Sequence, residues 1–542
     1  MDRDPVADQA RLSAILAEAR ATHHEEAIAQ ARAALAEGLE HPLLLNLAAL
    51  GLEREGRSAE AEPLLRRAVQ IAPGDLGCRN ALGLCLLALE RAPEALQQFD
   101  AAIALDPTLA HLHANRANAL RAFGAIAAAQ VSYERAVGLD AAQAPALAGL
   151  SSIACQRGAY DEARTWAQKA LAVAPGLREA IMSLAAAEFG ERQLGRAESR
   201  LQELLLERTR LSGVERAYVE GLLGDVLDAE GRYEEAFAAY RSCNEALRCS
   251  YAGRFANACD YAEALGGWLD RTASGTPVTP SPQSARSALP RDHVFIIGFP
   301  RSGTSLLGVI LEGHPQVATL VERECLVEAV LEFMRRPEDL DRLWGATPQV
   351  LEHFRAAYWR RVFDAGVDPS GKVFVDCCSL NTLKLPLIAR LFPTARILFA
   401  CRDPRDVVLS CFRNRLAMSA PTYELLTVEG TARYYAAVMR LLIGFTSLLS
   451  LEACLVRHED VVKGFAREMR RVCEFLRLEW HPAMRDFALR ARERDEPAPS
   501  LAQWIHSLGT EGLGLWRHYR GALEPVRAVL EPWVQRFYYD PD

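Results

Sequence analysis

The sequence has no C-x-x-C pair and no cysteine–histidine cluster at zinc-ligand spacing, although it carries 13 cysteines. They stand singly or as the adjacent pair Cys377-Cys378, so a structural zinc site is excluded and buried reduced thiols are expected. Also missing is any run of the ~18 or more uncharged apolar residues that a membrane span requires. The first residues, Met1 to Val6, show no basic segment leading into an apolar stretch, and so no secretory signal. A soluble protein without a membrane span, in a reducing and cytoplasmic setting, is the expectation. A charge excess of one sign is absent too: 62 Lys and Arg against 70 Asp and Glu leave −8 over 542 residues. That balance argues against a nucleic-acid partner but leaves room for a local basic pocket. The chain is 50% apolar and 24% charged, ordinary values for a folding protein. Its length exceeds one hydrophobic core, and two to four domains are expected.

The first half repeats itself. The segment ends Ile-Ala-Pro73, Leu-Asp-Pro107, Leu-Asp-Ala141 and Val-Ala-Pro175 recur at a step of 34 residues. The same step links Ala68, Ala102, Ala136 and Ala170, and links Gly56, Gly124 and Gly158 with Glu90 in the intervening slot. Within a unit, apolar residues recur at helical spacing on two segments around a glycine turn, as in Ala146 to Gln156 and Tyr160 to Leu171. Small residues suit the crossing of paired helices, and a proline after the second helix stops it. This pattern resembles the tetratricopeptide repeat over roughly 10 to 265. It is strongest from 43 to 176 and returns in Gly224, Gly231, Tyr233, Ala236 and Tyr240, whereas 177 to 215 fit poorly. The resemblance implies an all-α superhelix over 1–268 whose groove holds a peptide or protein, or an array that scaffolds the second half or supports a homodimer.

From Thr272 to Pro290 the composition turns to Ser, Thr, Pro, Gly and Ala without apolar periodicity, which places a linker at 269–290. The third segment, 291–542, opens with His293-Val-Phe-Ile-Ile297, an apolar run suited to a strand buried on both faces of a parallel sheet. Similar runs stand at Val373, Arg396 and Ala453, and amphipathic stretches lie at Leu380 to Leu391, Pro404 to Leu416, Thr431 to Leu451 and Val461 to Leu476. The alternation predicts an α/β domain with a central, doubly wound parallel sheet.

Ligands of such sheets bind at the carboxyl ends of the strands, where Gly298-Phe-Pro-Arg301-Ser302-Gly303-Thr304-Ser305 must lie. Its Gly-x-x-x-x-Gly-Thr-Ser layout is that of a phosphate loop, in which backbone N–H groups and a helix N terminus cradle an anion. A nucleoside triphosphatase would carry lysine after the second glycine; here Thr304 stands there and the cation comes earlier, as Arg301. The loop suits an anion smaller than a metal-bound triphosphate, which disfavours the alternative of a P-loop kinase.

The stretch Phe299-Pro-Arg-Ser-Gly-Thr-Ser-Leu-Leu307 resembles the 5′-phosphosulfate loop of sulfotransferases, above all that of tyrosylprotein sulfotransferases and bacterial repeat-containing sulfotransferases. Arg402-Asp-Pro-Arg-Asp-Val-Val-Leu-Ser410, after the strand Ile-Leu-Phe-Ala-Cys, is similar to the 3′-phosphate site of that family. The resemblance implies a P-loop-like sulfotransferase domain with 3′-phosphoadenosine 5′-phosphosulfate as co-substrate and no metal. Arg301, Ser302, Gly303, Thr304 and Ser305 would hold its 5′ end, and Arg402 and Ser410 its 3′-phosphate. Helical geometry agrees with the second pair, since Ser410 would return to the side of Arg402 after about two turns. The bland reading makes Arg402 and Asp403 a structural ion pair.

By the same resemblance Glu322, after the His314-Pro315 turn, is the candidate base and Arg301 a catalytic cation. Glu324 is a neighbour that could be mistaken for Glu322, and His314 is a rival base. Ser500, Gln503 and Arg517 fall in a segment like the one that closes over the nucleotide, His458 takes the place of a tyrosine near the adenine, and Asn414 that of an arginine on the 3′-phosphate. The chain departs from the pattern twice. Cys377 stands where relatives have lysine, with Lys372 and Lys384 out of register, and Leu515 replaces a basic residue near the C terminus. Arg517, Arg413 or Arg415 would have to substitute for these cations. The implied activity is sulfuryl transfer to an acceptor hydroxyl, with tyrosine of a peptide or protein held by the repeats as acceptor. A saccharide or small-molecule acceptor, or a non-catalytic repeat scaffold with a degenerate nucleotide site, is the alternative.

Overall fold

A computed structural model describes residues 5–20, 24–207, 211–273, 290–449, 451–493 and 510–540. Two compact units divide the chain, 1–192 and 193–542.

The first unit consists of consecutive antiparallel helices: α1 Pro5–Arg20, α2 His24–Ala36, α3 Pro42–Arg54, α4 Ser58–Ile71, α5 Leu76–Ala88, α6 Ala92–Leu105, α7 Ala110–Phe123, α8 Ile126–Leu139, α9 Ala144–Gln156, α10 Tyr160–Val173 and α11 Arg178–Gly190. The alanine column Ala68, Ala102, Ala136 and Ala170 is wholly buried, because a larger side chain would hold the paired helices apart. The turn inside each pair needs a left-handed residue, and Gly56, Gly124 and Gly158 supply it at φ 75°, 91° and 74°. Glu90 (φ 60°) and Arg192 (φ 63°) occupy the same slot. Arg192 explains why 177 to 215 read as a poor fit. The stretch contains the helices α11 and α12 (Leu194–Leu206), but its turn lacks the glycine that marks the others. Replacing Glu90 by glycine relieves the Cβ strain of the left-handed region, and the denaturant midpoint should rise by the equivalent of about 0.5–1 kcal/mol. A lower midpoint would show that contacts of the Glu90 side chain outweigh the strain.

The second unit begins with α12 and continues through α13 (Gly213–Ala229), α14 (Tyr233–Ser250) and α15 (Ala258–Ala273). A capping box starts α13: the Ser212 hydroxyl accepts from the Glu215 N–H and Glu215 accepts from the Ser212 N–H. Leu227, Ala236, Tyr240, Cys259 and Trp268 of these helices share one apolar core with the sheet residues Phe295, Ile297 and Phe374. The unit that carries the sheet therefore starts at Gln193, well before the expected boundary at 268. Of the expected linker 269–290, the first residues belong to α15 and residues 274–289 lie outside the described residues.

The sheet has five parallel strands, β1 Asp292–Ile297, β2 Val317–Val321, β3 Val373–Cys377, β4 Arg396–Cys401 and β5 Glu452–Arg457, in the order β2-β3-β1-β4-β5. Their connections contain α16 Thr304–Glu312, α17 Val327–Phe333, α18 Leu340–Trp344, α19 Pro348–Asp364, α20 Leu385–Leu391, α21 Pro404–Arg413, α22 Ala420–Glu424 and α23 Val428–Leu448, and α24 His458–Phe475 follows β5. Alternation along β1 puts Phe295 and Ile297 in one core and Val294 and Ile296 in the other, as a sheet covered on both faces requires. Two expectations change. The short strand β2 was not anticipated, and the helix expected from Leu380 starts as a 3-10 turn, Ser379–Lys384, before α20. Among the described residues no helix is long and apolar enough to cross a membrane.

After β1 the chain crosses to one side of the sheet and after β4 to the other. The crevice between these two diverging connections lies at the carboxyl ends of β1 and β4. Both sequence motifs follow those two strands.

Candidate functional site

Gly298 leaves β1 in a close-packed turn. Its N–H donates to the Ser379 carbonyl at 3.1 Å and to Thr382 Oγ1 at 3.0 Å, and the Thr382 hydroxyl donates back to the Gly298 carbonyl at 2.7 Å. A Cβ at 298 would lie 2.7 Å from the Ala400 carbonyl oxygen, so only glycine fits. The loop is braced from inside by Ser302 Oγ, which accepts from the Phe299 N–H at 3.3 Å. Gly303, at φ 99°, is the N-cap of α16, and no side chain caps that helix. The first-turn N–H groups and the positive end of the helix dipole are thus left for a ligand.

The second motif meets this loop. Arg402, at the end of β4, donates from Nη1 to the Arg301 carbonyl (3.4 Å) and from Nη2 to the Gly512 carbonyl (2.7 Å). Arg301 Nε donates to Ser410 Oγ at 3.0 Å. The ion pair of this segment is Arg405–Asp403, at 2.8 Å, and not the Arg402–Asp403 pair of the bland reading. Asp406 accepts from the N–H groups of Gly514 (2.7 Å) and Trp516 (3.0 Å), which folds the C-terminal stretch onto the motif. His458 begins α24 and packs on Gly303, where a Cβ would lie 3.1 Å from its Nδ1. Arg301, Gly303, Thr304, Ser305, Leu306, Arg402 and His458 line one cleft, with about 300 Å³ of empty space. A roomier cavity of about 490 Å³ includes Arg405 and Trp516 but none of the loop residues.

The electrostatics of the cleft are one-sided. Burial, and then the neighbouring Arg402 charge, push Arg301 down to about 10. Burial together with Arg402 and Arg301 pushes His458 down to about 3, so its imidazole is neutral at physiological pH. Two guanidiniums that repel each other beside an uncapped helix N terminus are relieved by an anion of more than one negative charge.

Glu322 lies just past β2, with its N–H on the Cys377 carbonyl at 2.8 Å and Oε1 accepting from Ser305 Oγ at 2.7 Å. Its carboxylate is therefore tethered to the first turn of α16 while remaining exposed. Arg301 and Glu322 both adopt positive φ, 69° and 57°, which non-glycine residues hold only where the surroundings impose it. Glu324 is engaged elsewhere, by Lys384 Nζ and the Leu326 N–H. His314 has both ring nitrogens in a turn, Nε2 against the Glu479 carbonyl (2.8 Å) and Nδ1 accepting from the Gln316 N–H (3.1 Å).

Residues 293–482 match the sulfotransferase family, and residues 6–75 and 52–119 match the tetratricopeptide repeat. The two loops that meet at β1 and β4 fall inside the first match. Residues 293–482 are a sulfotransferase-family domain. The chain is similar to protein-tyrosine sulfotransferase A of Caenorhabditis elegans, 24% identical over 271 residues, 46% of this chain and 67% of that protein. It is also similar to protein-tyrosine sulfotransferase 2 of Gallus gallus, 25% identical over 272 residues, 46% of this chain and 69% of that protein. Among solved structures, a thermophilic TPR protein in Thermus thermophilus is similar over 34% of this chain and 99% of its own, at 23% identity and a TM-score of 0.30.

At the two departures, Cys377 inside the sulfotransferase-family domain and Leu515 beyond its matched residues, the chain uses the altered residues for packing. Cys377 is buried against Gly308, and its thiol donates to the Thr304 carbonyl at 3.3 Å. Leu515 packs on the core. Arg413 and Arg415 do not replace the lost cations, because they pair with Asp228 and Asp225 of α13 at 2.7 and 2.8 Å. The Arg517 guanidinium sits 5.0 Å from the Trp516 ring and does not line the cleft. Asn414 caps α21, with Nδ2 on the Ser410 carbonyl at 2.6 Å. Ser500 and Gln503 lie outside the described residues. Among the described residues no group of three or more His, Cys, Asp or Glu could hold a metal ion.

Three residues escaped the sequence reading. Thr382 and Asp406 anchor the two loops. Asp406 was visible as the last carboxylate of Arg-Asp-Pro-Arg-Asp, whereas nothing local marks Thr382. Asp376 is the third: burial pushes its carboxyl up to about 7, despite donors from Tyr358 (2.8 Å) and Asn381 (3.1 Å). The unfolded chain releases this proton near its ordinary 3.8 and the folded chain only near 7. Its contribution to stability is therefore full below the unfolded value and is lost as pH rises to the folded one. The melting temperature of Asp376→Asn should gain on wild type between about pH 4 and 7. A difference that does not change with pH would contradict this.

Proposed function

We propose that the chain is a sulfotransferase that uses 3′-phosphoadenosine 5′-phosphosulfate and transfers its sulfuryl group to the hydroxyl of a tyrosine in a peptide or protein. The observation that carries the reading is the meeting of Arg301, Ser410 and Arg402 at the adjacent ends of β1 and β4, beside the uncapped N terminus of α16. The uncapped N–H groups and Arg301 suit the phosphosulfate, and Arg402 with Ser410 suits the 3′-phosphate, a dianion. Neutral His458 offers a flat surface next to the loop rather than a third charge.

In this reading Glu322 accepts the proton of the attacking hydroxyl as its oxygen bonds to sulfur. The bond from sulfur to the bridging oxygen breaks, and the charge left on the 5′-phosphate is stabilised by Arg301 and the loop N–H groups, giving adenosine 3′,5′-bisphosphate. The tyrosine acceptor rests on the similarity to protein-tyrosine sulfotransferases, and presentation by the repeat groove rests on the tetratricopeptide match. The 13 free thiols support a reducing, cytoplasmic setting. A non-catalytic scaffold is the second reading, favoured by the packing roles of Cys377 and Leu515. Transfer of radiolabelled sulfate from the donor to a tyrosine-containing peptide library tests the choice. Labelled tyrosine is expected. Label on saccharide but not on peptide would overturn the acceptor, and no transfer to either from a chain that binds the bisphosphate would favour the scaffold.

A further inference from the structure

Asp228 lies near the end of α13, far upstream of the sulfotransferase-family domain, yet its carboxylate holds one side chain from the helix that carries Ser410 and one from the stretch that receives Arg402. Oδ2 accepts from Arg413 Nη2 at 2.7 Å, and Oδ1 accepts from the Tyr519 hydroxyl. Arg413 follows Ser410 by three residues on α21, about one helical turn, and its guanidinium lies 5.3 Å from the Tyr240 ring and 5.7 Å from the Tyr519 ring. Its charge is among those that lower the proton affinity of Arg301, so it lies within electrostatic reach of the cleft. Tyr519 ends the 3-10 turn Leu515–Tyr519, whose entry is fixed by Asp406 on the Gly514 and Trp516 N–H groups. Gly512, just before, receives Arg402 Nη2.

One carboxylate thus ties together the helix that carries Ser410 and the stretch that orients Arg402. We infer that Asp228 is a positioning residue for the donor nucleotide, which makes α13 a built-in part of the nucleotide site rather than a detachable neighbour. This rests on the assignment of Arg402 and Ser410 to the 3′-phosphate. Without Asp228 the Arg413 guanidinium loses its counter-ion, and the 512–519 stretch loses its hold on α13. Arg402 is then less well oriented for a dianion.

Asp225, one turn earlier on α13, is a built-in control. It accepts from Arg415 (2.8 Å) and from the Tyr240 hydroxyl (3.0 Å), bonds of the same kind; Tyr240 also accepts from Arg413 Nη2 at 3.4 Å, but neither partner belongs to the 512–519 stretch or lines the cleft. The test is calorimetric titration of adenosine 3′,5′-bisphosphate into the full chain, together with urea unfolding of each variant. Asp228→Ala should weaken binding by at least tenfold, and Asp228→Asn, which keeps an acceptor for Tyr519, by less. Asp225→Ala should stay within twofold of wild type even where its urea midpoint falls as far as that of Asp228→Ala. If the alanine variant does not fold, the asparagine variant is read against Asp225→Asn in the same way. Binding by Asp228→Ala within twofold of wild type, or an equal loss in Asp225→Ala, overturns the positioning role while the donor assignment stands. Failure of the wild-type chain to bind the bisphosphate overturns both.

Discussion

Replacing Arg402 by alanine should weaken adenosine 3′,5′-bisphosphate about 100-fold, while adenosine 5′-monophosphate, which lacks the 3′-phosphate, loses little. Arg402 donates to the Arg301 and Gly512 carbonyls, so its guanidinium is held in place before a ligand arrives. A charge-assisted bond to a dianion in a buried cleft contributes about 3 kcal/mol, which converts to roughly two decades of affinity. Lysine at 402 should recover only part of this, since a point charge cannot keep both carbonyl contacts and face the ligand. Titration of the two nucleotides into wild type, Arg402→Ala and Arg402→Lys checks the prediction, and an equal loss for both nucleotides would place Arg402 elsewhere than at the 3′-phosphate.

Replacing Glu322 by glutamine should cost about 10²- to 10⁴-fold in turnover while leaving the affinity for the bisphosphate near wild type. The amide keeps an acceptor for Ser305 Oγ, which Glu322 binds at 2.7 Å, so the tether to α16 survives and only the basicity is lost. Steady-state rates beside binding constants separate these quantities. A fall in affinity with unchanged turnover would make Glu322 a binding residue, and Glu324, which is held by Lys384, would not inherit the role of base.

The strands of the central sheet were largely legible because β1, β3 and β4 are apolar runs that bury both faces, and the edge strand β5 buries Cys454 and Val456 on one. Val317–Val321 escaped because five residues ending at the edge of the sheet carry a weaker pattern, with Thr319 and Val321 only partly buried. The cleft was legible for a different reason. Gly298 to Ser305 and Arg402 to Ser410 are contiguous, and strand–turn–helix geometry places them without knowledge of the rest. What stayed hidden depends on partners distant in sequence. Arg413 looked available as a spare cation until Asp228, 185 residues away, took it, and Cys377 gave no sign of its thiol contact with the Thr304 carbonyl. Side chains that recognise ligands are announced by local motifs. Those that recognise other elements of the same chain are not.

Which nucleotide the loop at 298–305 holds is measured most directly by calorimetry of the full chain with adenosine 3′,5′-bisphosphate and, separately, with ATP. The lack of a lysine at 304 and the convergence of Arg301, Ser410 and Arg402 predict saturable binding of the bisphosphate and at least tenfold weaker binding of ATP. Tight binding of ATP with none of the bisphosphate would contradict it.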